Sequence, residues 1–65
     1  MNAAAFVEVM NDPRVDKARE RYYLARGAKS REGTIADAMR AGSEERRAFE
    51  MLLATVADVA SEVQS

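Results

Sequence analysis

Residues 49–63 read FEMLLATVADVASEV, and within them Phe49, Leu52, Val56, Val59 and Val63 recur at spacings of 3, 4, 3 and 4. That is one stripe of an α-helix, because residues three and four apart share a helix face whereas a strand alternates every second residue. Leu53 and Ala60 widen the stripe on one side, Ala48 and Thr55 on the other. A two-stranded coiled coil usually carries charge at such flanking positions. Small and apolar flanks fit a bundle of three or four helices instead. The segment predicts a long amphipathic C-terminal helix over about residues 44–63, with an apolar face that needs a cover.

Upstream, the chain reads as helix with a few breaks. Thr34 followed by Asp37 resembles a capping box with Asp in place of Glu, and starts a helix over about 35–41. Gly42-Ser43 is a candidate break, with Ser43 as a second cap and Glu44 and Glu45 in a first turn that favours acids. Counting back by sevens from Phe49 puts Gly42 and Ile35 on one seam, which favours continuity. Glu45 on the same seam tips the reading towards a break. Residues 27–33, GAKSREG, read as a loop, with Gly27 as a left-handed residue ending a helix over about 13–26. In that second helix Val15, Ala18, Tyr22 and Ala25 form the apolar stripe. Asp12 is a good N-cap and Pro13 suits the first helical position. A short first helix over about 3–10 follows a cap at Asn2 and carries Ala3, Phe6, Val7 and Met10 on one face.

The expected fold is therefore all-α: one domain over residues 1–65, an antiparallel bundle of three to four helices. Hydrophobic residues make up 48% of the chain, but thirteen of the 65 residues are alanine, so large side chains are few. Chains this short bury only about 60% of their unfolded surface. Disulfides or a structural metal are the usual supplements. Cysteine and histidine are both absent. Oligomerisation remains, and a homodimer built on Phe49, Leu52, Leu53, Val56, Val59, Ala60 and Val63 is the expected way to complete the bundle.

Charge is nearly balanced at −1, but it is unevenly placed. Residues 14–31 carry seven basic side chains against Asp16 and Glu20; residues 32–65 carry seven acids against three arginines. Arg14, Lys17 and Arg21 share a face of the second helix, and Arg26, Lys29 and Arg31 continue the basic run, with Tyr22 and Tyr23 inside it. This is a candidate face for a polar partner or for nucleic acid. A helix-turn-helix tried on residues 34–53 fails, because Asp37 and Ser43 fall where apolar residues belong and Glu44-Glu45 would meet phosphate.

Without histidine or cysteine, the side chains best suited to proton transfer and nucleophilic attack near neutral pH are missing. No cofactor, metal site or small-molecule substrate is expected. Nor is a membrane span, since no run approaches ~20 apolar residues. The opening MNAAAFVEVM lacks a basic region and contains Glu8, so it does not read as a signal peptide. The absence of cysteine fits a reducing compartment, and the cytoplasm is expected. The functional expectation is a non-catalytic protein-binding module that regulates, inhibits or tethers a larger partner as a homodimer. The alternatives are a nucleic-acid-binding accessory protein and a structural assembly subunit.

Overall fold

The computed structural model describes residues 2–29 and 33–64. Three helices account for nearly all of them: α1 (Ala3–Met10), α2 (Pro13–Lys29) and α3 (Ile35–Gln64). No strand occurs among the described residues.

Each helix starts on a side chain that the sequence supplies for the purpose. Asn2 is extended, and its Oδ1 accepts the Ala5 N–H at 2.8 Å. Asp12 Oδ1 accepts the Arg14 N–H at 2.8 Å, while the Asp12 carbonyl accepts from Asp16 at 3.0 Å. Pro13 follows at the first helical position, where its missing N–H leaves nothing unsatisfied. Thr34 Oγ1 accepts the Asp37 N–H at 3.1 Å, and its carbonyl accepts from Ala38 at 2.9 Å. Between α1 and α2 the chain turns in two residues. Asn11 donates to the Val7 carbonyl at 3.0 Å and Asp12 to the Val9 carbonyl at 3.2 Å.

Two expected breaks are absent. α3 runs unbroken through Gly42-Ser43 for 30 residues, so 35–41 and 44–63 are parts of one helix. A helical glycine costs only about 0.5–1 kcal/mol against alanine, and Ala41 beside it is buried, so packing holds the segment. Ser43 is consequently no cap. α2 likewise continues past Arg26 to Lys29, and no described glycine has a positive φ. Ala25 and Ala28 remain half-buried along this last stretch, which keeps the helix on its support through Gly27. The remainder of the expected 27–33 loop is Gly33, which is non-helical, and residues 30–32, which lie outside the described residues.

α2 runs back along α3. Its start meets the end of α3, where Arg14 contacts Glu62, and Tyr22 meets Phe49 further along with ring centroids 5.5 Å apart. The molecule measures 46 × 16 × 14 Å, which is the length of α3 itself at ~1.5 Å per residue. α1 packs mainly against α3. The core lies where the three helices meet: Val9, Val15 and Val59 are buried, with Met10, Leu52, Val56, Ala60 and Val63 packed round them.

The face of α1 that reads as the packing face is turned mostly outward, and of its members only Met10 packs on the core. Phe6 is 57% exposed and Val7 55%, while Val9, outside the Ala3–Phe6–Val7–Met10 stripe, is 1% exposed. The short Asn11–Asp12 turn sets how α1 leaves α2 and brings Val9, next to the end of α1, against Val59. Leu24 points away from the α2 stripe and is exposed too.

Val15→Ala should lower stability in urea melts by about 2 kcal/mol, from lost burial and the cavity left behind. Leu24→Ala, on the open side of the same helix, should stay within ~0.5 kcal/mol of wild type. Equal losses at both positions would contradict this core.

Candidate functional site

α2 presents Arg14, Lys17 and Arg21 at one edge of its contact with α3. There the two helices leave a groove of about 570 Å³. Its floor is apolar or small: Ala18 from α2, and Ala48, Met51, Thr55 and Val59 from α3. The α2 wall is entirely basic, whereas α3 contributes Arg47 together with Glu44 and Asp58. Thr55 spends its hydroxyl within its own helix, donating to the Met51 carbonyl at 2.8 Å.

Arg14 closes one end of the groove. Its Nη1 and Nη2 donate to the two Glu62 carboxylate oxygens at 2.8 and 3.0 Å. Its Nε and Nη2 donate to Asp12 at 3.0 Å each. One guanidinium thus joins the residue that caps α2 to the last turns of α3. These charge-assisted bonds hold the Asp12 and Glu62 carboxyls below their ordinary range, and they hold Arg14 protonated more firmly still. Lys17, Arg21 and Arg47 make no ion pair with another described residue. Asp16 is engaged by Arg19 one turn along α2, and Asp37 by Arg40 at 3.5 Å on α3.

The basic run read from sequence is therefore divided. Arg14, Lys17 and Arg21 line the groove together; exposed Arg26 does not. The side chain of Lys29 and the whole of Arg31 lie outside the described residues. Tyr22 is half-buried against Phe49, and Tyr23 stands exposed beside it with centroids 5.8 Å apart.

The apolar stripe of α3 is divided too. Val59 is buried, and Leu52, Val56, Ala60 and Val63 pack on the core. Phe49 and Leu53 remain exposed. What the sequence reading missed is the second line on α3. Glu44, Ala48, Met51, Thr55 and Asp58 recur at spacings of 4, 3, 4 and 3 and form the α3 side of the groove. Their mixed chemistry hides the line from hydrophobic periodicity.

Among the described residues, no group of three or more metal-ligating side chains converges. Among the described residues, no helix is long and apolar enough to cross a membrane. Comparison with protein-family models, curated proteins and solved structures returns no match.

The Arg14 clamp should make stability fall at acidic pH in a way that an Arg14→Gln variant does not share. Asp12 and Glu62 have lowered carboxyl pKa values in the folded chain, so their contribution is present above the ordinary carboxylate range. It is lost as pH falls through their lowered values, because the unfolded chain then binds more protons. Thermal midpoints of both proteins across that range are the check. Parallel pH curves would mean that the clamp contributes nothing, as many exposed ion pairs do.

Proposed function

We propose that this chain is a non-catalytic protein-binding module that acts as a homodimer and regulates, inhibits or tethers a larger partner. The observation that carries the reading is the balance of apolar surface. Among the described residues, Val9, Val15, Ala41 and Val59 are the buried core, while nine large apolar side chains, Ile35, Met39 and Leu53 among them, stand exposed. Exposed apolar surface that gathers on helix faces invites association. The α2–α3 groove supplies a separate surface, with an apolar floor and cations free to pair with a partner's acids. The lack of cysteine suits the cytoplasm as its setting.

A nucleic-acid reading stands second, on the strength of Lys17, Arg21 and Arg47. Against it, Arg14 is engaged by two carboxylates, and Glu44 and Asp58 share the groove, where they repel phosphate.

Two measurements test the proposal. Sedimentation velocity across a hundredfold dilution should show a dimer dissociating to monomer, with a thermal midpoint that rises with concentration by mass action. A monomer at every concentration removes the dimer. For the partner, Met51→Glu places a charge on the groove floor, and Arg21→Glu reverses its wall. A protein captured from source-cell lysate by wild type should be lost with both variants. Identical capture by all three takes the groove out of the reading. Electrophoretic shifts at low salt should detect no sub-micromolar duplex binding; such binding, abolished by reversing Lys17, Arg21 and Arg47, would put nucleic acid first.

A further inference from the structure

By helical position, one flank of α3 stays bare on the side away from the groove. Ile35, Met39, Gly42, Arg46, Phe49 and Leu53 follow one another at spacings of 4, 3, 4, 3 and 4, which is a heptad seam. Its four large apolar members are all exposed, Ile35 by 82% and Met39 by 70%. Beside the seam lies an open depression bounded by Met39, Gly42, Ser43 and Arg46, with Arg47 and Glu50 at its edge. The first four occupy positions i, i+3, i+4 and i+7, the set that forms a hole for one knob from a facing helix. Gly42 makes the hole deep, since nothing lies within 4 Å of where its Cβ would be.

We infer that Leu53 of a second copy fills this hole, the two α3 helices lying antiparallel about a two-fold axis between Arg46 and Phe49. The inference rests on the dimer reading and gives that dimer its register. Reversal about this axis sets Gly42 against Leu53, Ile35 against Ala60, and Arg46 against Phe49. Ile35 and Leu53 thereby meet small residues, Met39 meets half-buried Val56, and a cation meets an aromatic face. The neighbouring line on the same flank reads Ala36, Ser43, Glu50 and Ala57. It lets the backbones approach, and it opposes Glu50 to Ser43 and not to another acid. At each end, Ile35 and Met39 come over the copy's C-terminal segment of α3, where α1 displays Phe6 and Val7. A parallel pair would do the opposite: Gly42 would face Gly42 over an empty hole, and Arg46 would face Arg46.

The chain has no cysteine, so each introduced one is unique. Across the proposed axis the two Arg46→Cys thiols start about 5 Å apart along the helices, and the two Met39→Cys thiols roughly 25 Å apart. A short bis-maleimide should link Arg46→Cys into a covalent dimer and leave Met39→Cys unlinked. Gly42→Leu projects into open space in the single chain and improves helix propensity, so its circular dichroism should match wild type. Its dimer should dissociate about tenfold more readily or worse, because the hole is filled. The double variant Gly42→Leu/Leu53→Ala, which exchanges knob and hole, should restore association. Efficient linking of Met39→Cys, or a Gly42→Leu dimer as tight as wild type, overturns this register and leaves the dimer itself standing. A wild-type monomer at all concentrations overturns both.

Discussion

Val9, Val15 and Val59 meet where α1, α2 and the C-terminal part of α3 converge, and the rest of the molecule depends on that meeting. Valine is short and branched at Cβ, so it fills a close helix crossing without a long side chain to order. Full burial of one such side chain is worth roughly 1.5–3 kcal/mol, a large share of the ~5–15 kcal/mol by which domains are stable. Among the described residues, no buried polar or charged side chain supplements these three contacts. α2 and α3 are long helices made of good helix formers, but they are held together over a narrow seam of valine and alanine. That narrowness leaves Leu53, Ile35 and Met39 largely exposed and Phe49 covered only in part, by Tyr22.

The Arg14 guanidinium works on the same junction from outside. It holds Asp12, which begins α2, and Glu62, near the end of α3. At this point the basic middle of the chain meets its acidic end. Elsewhere along the groove the charges of both helices are set side by side without closing on one another. Arg21 and Lys17 face a floor of methyl and thioether groups.

Much of this architecture was legible in the sequence because it depends on local chemistry. Asn2, Asp12-Pro13 and Thr34 mark the helix starts through caps that need only neighbouring residues. The 3,4 spacing of Leu52, Val56, Val59 and Val63 shows which side of α3 meets the core. The helix ends were harder, because packing through Ala41 and Ala28 offsets glycine's modest helical cost, and a single chain pattern does not reveal that packing. The orientation of α1 was illegible for a different reason. Seven of its eight residues are apolar, so periodicity selects no face, and the Asn11–Asp12 turn decides. The groove escaped notice because its α3 side interleaves acids with small and apolar residues. Hydrophobic periodicity cannot register such a line.

The core sits at the open end of the α2–α3 hairpin, far from the connection between the helices. Packing strengthens away from the connection. Towards the connection, Ala41 is the one buried apolar residue in the α3 segment from Ile35 to Gly42, whereas Val59 and its neighbours hold the far end. Local opening free energy should therefore rise along α3 from its first turns to its last, and amide exchange in residues 35–44 should outpace that in 52–63. The contacts that anchor the fold also span the greatest chain separation, as between Val9 and Val59. Those contacts carry a larger loop-closure cost than contacts made beside the turn would.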